Sequence, residues 1–350
     1  MLAVENGYTN LNTLWFALIA VLWIGFFFLE GFDFGVGTLL PFLSRDDTDR
    51  RVIINTIGPV WDGNEVWLIV AGGATFAAFP NWYATLFSGF YIPFFLVLAA
   101  LIFRGVAFEF RGKDRRLAWR AWWDRALFWG SLFPSVLFGI AFANILRGVP
   151  IDAKGEFIGS FLGLLNPYAL TGGLATFALF TLHGAAFLSL KTDGEVRERA
   201  RATGGRIGLL AGVVVLVFFA WTLWSAARVD DRVLVPGIMA IAAVLACFLA
   251  AWLLRQGRDG RAFVATGLST VFLTATIFLS LYPRVMVSSL GPANDLTIWN
   301  SSSTPRTLGL MTIVALVSTP VVLAYQGWTY WVFRKRLRRE DIPAAGEVQH

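Results

Sequence analysis

Residues 11–40 read LNTLWFALIAVLWIGFFFLEGFDFGVGTLL. A helix rises about 1.5 Å per residue, so some 20 mostly apolar residues cross the hydrocarbon layer of a bilayer. This stretch exceeds that length, with residues to spare for tilt or for extension into the cytoplasm. No Lys or Arg precedes it, and it runs into Glu30-Gly31-Phe32-Asp33 instead of a small-residue cleavage site. It lacks the basic start and the end of a signal peptide and reads as a retained helix.

The same pattern recurs downstream. Further apolar stretches lie at 53–78, 81–109, 122–146, 160–190, 205–227, 234–254, 262–284 and 307–333. The expectation is an all-α polytopic membrane protein of about nine transmembrane helices. It forms a single integral membrane domain over residues 1–350, with 334–350 as a cytoplasmic tail. Composition agrees: the chain is 57% hydrophobic and only 15% charged, with a mean hydropathy of +0.64, whereas soluble domains carry about 25% charged residues. Segments 41–52, 104–125, 191–206, 255–261 and 334–350 hold 23 of the 29 Lys and Arg residues. The alternate segments 1–10, 79–82, 147–159, 228–233 and 284–306 hold 6. This imbalance places the N-terminus outside and the C-terminus in the cytoplasm. It also accounts for the net charge of +6 without nucleic acid as a partner. No internal repeat is evident, and 287–307 reads as an ordered external loop.

Ionisable groups inside a membrane are costly and mark function. The fifth to ninth stretches contain no Asp or Glu, whereas the first two contain Glu30, Asp33, Asp62 and Glu65. Each pair has i, i+3 spacing, which puts both members on one helix face. Asn55, Gly58, Asp62 and Glu65 form a polar or small stripe on the second helix, and Asp62 sits roughly 13 Å along it from Ile53. Glu109 and Lys113 lie at the cytoplasmic end of the third, close to Arg104. Together they make a ladder from the cytoplasm to mid-membrane. Desolvated carboxyls exchange protons near neutral pH, which suits a proton relay. The plainer reading is that the acids pair with Arg104 or a partner and hold helices together.

Other chemistry is sparse. His183 and His350 are the only histidines and Cys247 the only cysteine, too few for a haem or metal site within the chain. His183 is read as a hydrogen-bonded packing residue in preference to a lone axial ligand. Gly35-Val36-Gly37 and Gly72-Gly73 read as close-packing positions. Tyr282-Pro283-Arg284, Trp299-Asn300 and Ser301-Ser302-Ser303 read as an interfacial anchor, with contact to a partner or a quinone headgroup as the sharper alternative.

Several motifs carry a family resemblance. Leu29-Glu30-Gly31-Phe32-Asp33-Phe34-Gly35-Val36-Gly37 and Pro59-Val60-Trp61-Asp62-Gly63-Asn64-Glu65-Val66-Trp67-Leu68 resemble the first- and second-helix signatures of subunit II of cytochrome bd-type quinol oxidases. Gly72-Gly73, Phe76-Ala77-Ala78-Phe79-Pro80, Arg104-Gly105-Val106-Ala107-Phe108-Glu109, Leu164-Leu165-Asn166-Pro167-Tyr168 and Trp328-Thr329-Tyr330-Trp331 extend the likeness over nearly the whole chain. The resemblance implies two four-helix bundles plus a peripheral helix. It implies a complex that oxidises quinol and reduces dioxygen to water. The expected cofactors, two b-type haems and one d-type haem, belong to the partner, subunit I, and none is bound by this chain. It also implies a cytoplasmic proton path at the subunit interface, carried here by Glu30, Asp62, Glu109 and Lys113. The residue-based ladder adds Asp33 and Glu65, with Arg104 as helix-pairing candidate. Further partners on this reading are small accessory subunits, quinol or quinone, and lipid, with a quinone or lipid as a candidate bound molecule.

The chain departs from the family pattern at Glu30, where Asp is frequent, and at Met286-Val287-Ser288-Ser289, where Pro often follows Met. The loop between the sixth and seventh stretches is short. Two other functions compete: a proton-coupled secondary transporter or channel using the same carboxylates, and a structural partner with no proton role. Transporters often repeat their site in both halves, and the second half here offers no matching acids.

Overall fold

Where apolar residues fill a chain surrounded by lipid, the backbone has to satisfy its own hydrogen bonds, and helices do so within one segment. The computed structural model describes residues 2–226 and 233–342 (for 2–9 and 226, the backbone alone). Eleven α-helices are present among them: α1 Leu2–Leu43, α2 Asp47–Ile57, α3 Trp61–Ala78, α4 Pro80–Gly89, α5 Tyr91–Phe110, α6 Leu117–Arg147, α7 Pro167–Lys191, α8 Gly194–Ala226, α9 Leu234–Arg255, α10 Asp259–Leu281 and α11 Pro305–Val332. Eight of these, all but α2, α3 and α4, are long and apolar enough to cross a membrane. At 18 residues α3 is nearly span length, and Asp62, Asn64 and Glu65 near its start lower its hydropathy. Most of the 228–233 loop, and the tail from 343 with His350, lie outside the described residues.

Two expected spans are broken, both beside proline. Pro59 has no N–H to offer the Asn55 carbonyl. Gly58 N closes α2 on Ile54 O, and Asn64 N on Val60 O opens α3. The stretch 53–78 is therefore two helices. The stripe from Asn55 to Glu65 does not run along one helix, and the depth counted from Ile53 to Asp62 does not apply. Pro93 likewise leaves the Gly89 carbonyl unserved, and 81–109 divides into α4 and α5 at Phe90. The fifth helix starts at Pro167 instead of 160. Asn166 caps it by accepting from Ala169 N, with Pro at the first helical position, the favoured pairing for a helix start. The sixth begins earlier than 205, at Gly194.

Helices α1, α3, α5 and α6 pack together, as do α7, α8, α9 and α10. The two groups meet where α7 lies against α1 and α6. Helix α11 stands outside both, touches α1 and α3, and is almost wholly exposed. The α1–α7 contact depends on Gly35 and Gly184. A Cβ on Gly35 would lie 1.9 Å from Phe180 O and 2.8 Å from Gly184 Cα. By contrast, Gly72 and Gly73 have nothing within 4 Å of a Cβ position. The close-packing expectation fails for this pair because its face of α3 meets no neighbouring helix. It lines an apolar cavity of about 630 Å³ together with Trp23, Trp82, Phe94 and Phe138.

Each end of the molecule ties α11 down. At one, the antiparallel pair β1 (Arg284–Met286) and β2 (Leu296–Thr297) orders the connection from α10. Asn12 Nδ2 donates to Ile298 O at 2.6 Å, and Trp15 Nε1 donates to Leu308 O at 3.0 Å. At the other, residues 334–342 form a strap. Leu337 N donates to Lys191 O at 2.8 Å, Arg339 pairs with Asp46 at 2.7 Å and also with Asp49, and Arg338 pairs with Asp193 at 3.5 Å.

Two outcomes are expected. Gly35→Val drives a side chain into fixed backbone and lowers the thermal stability of the purified protein by about 3 kcal/mol, while Gly72→Ala leaves it unchanged. The Arg339 guanidinium holds the Asp46 carboxyl below its ordinary value of 3.8. The strap's ion pair is therefore intact above pH 3.8 and weakens as pH falls below that, the sense required of a depressed carboxyl. Hydrogen exchange at Leu337, corrected for intrinsic rate, is expected to rise over that window.

Candidate functional site

The acids of the first helix are buried by the helices around them. Glu30 and Asp33 are fully buried on α1, one turn apart. Across from them α5 presents Arg104, also fully buried. Gly130 of α6 permits the approach, since a Cβ there would lie 2.7 Å from both Ala100 O and Arg104 Cβ. Arg104 Nη1 donates to Glu30 Oε1 and, at 2.7 Å, to Glu65 Oε1 on α3. The guanidinium also lies 5.1 Å from the centre of the Phe34 ring and 5.7 Å from that of Phe108, within cation–π range.

A second layer of amides surrounds Asp33. Asn64, buried on α3, donates from Nδ2 to Asp33 Oδ2 at 2.7 Å. Asn64 Oδ1 accepts from Tyr330 Oη at 2.8 Å and from Gln326 Nε2 at 3.1 Å, both on α11. Gln326 Oε1 in turn accepts from Trp67 Nε1 at 2.8 Å. Three carboxyls thus share one guanidinium. Full ionisation would leave two uncompensated negative charges, each costing several kcal/mol in a buried site. A proton on a carboxyl removes one of them. Glu30 Oε2 and Asp33 Oδ1 are buried with no hydrogen-bond partner among the described residues, so each has room on its lone pairs for a proton. The arrangement can bind protons and pass them among neighbouring carboxyls.

Of the residues singled out from the sequence, the structure joins Glu30, Asp33, Glu65 and Arg104. Asp62, Glu109 and Lys113 are exposed, and of these Asp62 lies near enough to Glu65 for the two charges to repel. Arg104, grouped with a basic loop in the charge count, is a buried charge inside α5. Sequence reasoning passed over Asn64, Trp67, Gln326 and Tyr330 as functional groups. A signal did exist for Gln326, the only Gln or Asn in the last span.

The remaining candidates are engaged in packing. His183 places Nδ1 2.7 Å from Thr266 Oγ1 and Nε2 3.0 Å from Phe28 O, with its ring stacked on Phe263. Cys247 Sγ lies 3.1 Å from Ser269 Oγ in the core of the second helix group. No group of three or more His, Cys, Asp or Glu residues suited to a metal ion occurs among the described residues.

Comparison with known proteins gives a consistent result. The family model described as "Cytochrome bd terminal oxidase subunit II" matches residues 11–333. A Bacillus subtilis protein, "Cytochrome bd ubiquinol oxidase subunit 2", is 46% identical over 332 residues, covering 95% of this chain and 98% of the relative. The Escherichia coli K12 "Cytochrome bd-I ubiquinol oxidase subunit 2" is 38% identical over 372 residues, covering 96% of this chain and 97% of the relative. A chain in the structure of bd oxidase from Geobacillus thermodenitrificans superposes with a TM-score of 0.72 at 20% identity, over 93% of this chain and 98% of that one. This last likeness concerns the fold.

Removing the shared cation tests the electrostatics. Arg104→Met leaves Glu30 and Glu65 without it and is expected to cost about 3–5 kcal/mol of stability. Adding Glu30→Gln should restore part of the loss. Glu65→Gln, at the partly exposed edge of the cluster, is expected to cost about 1 kcal/mol. Thermal unfolding in mild detergent measures all three.

Proposed function

The chain belongs to the cytochrome bd terminal oxidase subunit II family, and from that premise we propose that it supplies a proton path to a haem-bearing partner. It is a multi-pass protein of a bacterial membrane and a subunit of an oxidoreductase complex. On our reading it acts as a single integral membrane domain, with its N-terminus outside and its C-terminus in the cytoplasm. The two b-type haems and the d-type haem of the complex belong to subunit I, where quinol oxidation is coupled to reduction of dioxygen to water. That reaction consumes protons, which this chain conducts from the cytoplasm. The engagement of both His183 nitrogens supports a haem-free role.

The observation that carries this reading is the gradient of burial along the acids. Glu109, Lys113 and Asp62 are exposed, Glu65 is partly exposed, and Glu30 and Asp33 are fully buried. We take the exposed groups as the entrance and the buried carboxyls around Arg104 as the proton store. Asp62 also bears on scaffolding. It is exposed on the same helix as the apolar residues Val66, Ile69 and Val70, which are exposed too. A carboxylate on a spanning helix is poorly placed against lipid, and subunit I is the partner that covers it. The exposed apolar faces of α5 and α11 provide further surface for subunit I and for small accessory subunits. The cavity beside Gly72 and Gly73 suits a bound quinone or a lipid chain.

Asp62→Asn in the assembled complex is expected to reduce quinol-driven oxygen uptake and proton uptake about 100-fold, with the haem spectrum of subunit I unchanged. Wild-type turnover with normal proton uptake would remove Asp62 from the path.

A further inference from the structure

The neighbours of Asn64 fix the direction of its side-chain amide. An indole N–H can only donate, and Trp67 Nε1 donates to Gln326 Oε1 at 2.8 Å. With its oxygen engaged, Gln326 turns its NH2 group to Asn64 Oδ1 at 3.1 Å, and Tyr330 Oη donates to the same oxygen at 2.8 Å. Asn64 is left to donate from Nδ2 to Asp33 Oδ2 at 2.7 Å. Turning the Asn64 amide over would set NH2 against NH2 at Gln326 and an amide oxygen against the Asp33 carboxylate. The chain of bonds from Trp67 to Asp33 therefore runs in one direction.

We propose that Trp67, Gln326 and Tyr330 are positioning residues that lock Asn64 as a one-way hydrogen-bond donor to Asp33, so that α11 sets the proton affinity of the buried acid cluster. The proposal deepens the proton-path reading and rests on it for its consequence in turnover. A donor favours the ionised carboxyl, whereas an amide oxygen turned toward Asp33 favours the protonated one. Releasing the lock therefore increases the affinity of Asp33 for a proton. The titratable and charged groups facing Asp33 are Glu30 on its own helix, Glu65 on α3, Arg104 on α5 and Tyr330 on α11. The three charged ones are unaltered by changes at Gln326 and Trp67, which separates the lock from simple charge effects.

The test is an infrared pH titration of the assembled complex, with the Asp33 carboxyl band identified by its loss in Asp33→Asn. In Gln326→Met/Tyr330→Phe the Asp33 midpoint is expected to rise by about one pH unit, a tenfold gain in proton affinity, the size of one hydrogen bond. Tyr330→Phe alone leaves the Gln326 amide holding Asn64 and should shift the midpoint by less than half as much. Trp67→Phe/Tyr330→Phe, which frees the Gln326 amide to turn, carries the same expected rise if the first pair does not assemble. An unchanged or lowered midpoint in an assembled double variant overturns the proposal. So does an Asp33 that keeps one form across the pH range in both proteins. Full turnover in Asp33→Asn would instead remove Asp33 from the proton path and leave the infrared test standing.

Discussion

A guanidinium with no exposure to solvent has to be surrounded by its own counter-charges, and the first helix group is arranged to meet that demand at Arg104. Helix α1 supplies Glu30 and Asp33, and α3 supplies Glu65. Helix α6 contributes a glycine in place of a side chain so that α5 can come close. The bridges from one nitrogen to Glu30 and Glu65 fix three helices relative to one another. The same requirement explains why the acids inside helices α1 and α3 gather here. The middle of the second group, α7 to α10, is filled by apolar side chains and a satisfied histidine, and its buried acid, Asp259 at the start of α10, is bridged by Arg197 and Arg201 of α8.

The acid cluster also explains the placement of α11. This helix buries little surface and would have small cause to stay in register from apolar packing alone. Hydrogen bonds at its N-terminal end, amide and phenol contacts near the acids, and the strap of 334–342 hold it at three levels. Its contacts at Asn64 lie between these two fixed ends.

Much of the architecture was legible because apolar length is a local property: a long run of Leu, Phe and Val reads as a span whatever surrounds it. The breaks at Pro59 and Pro93 are present in the sequence too, but apolar residues continue across them and hide the interruption. The two glycine pairs show the opposite limit. Gly35 and Gly72 look alike in sequence, yet one meets a neighbouring backbone and the other a cavity, and only the tertiary arrangement distinguishes them. At the site, Glu30, Asp33, Glu65 and Arg104 stand out because charge is rare in such company. The amides do not, since Asn64 meets Gln326 across a separation of 262 residues.

A polytopic chain enters its membrane from the N-terminal end, and Arg104 lies 74 residues beyond Glu30 and 39 beyond Glu65. During synthesis α1 and α3 therefore bring Glu30, Asp33 and Glu65 to the bilayer before their counter-ion has emerged. Until α5 arrives, the charge on these helices is uncompensated and costly within the bilayer. Helix α5 thus supplies the counter-charge of the two helices, α1 and α3. Gln326 and Tyr330, on α11, close the site only after the spans that precede it have been made.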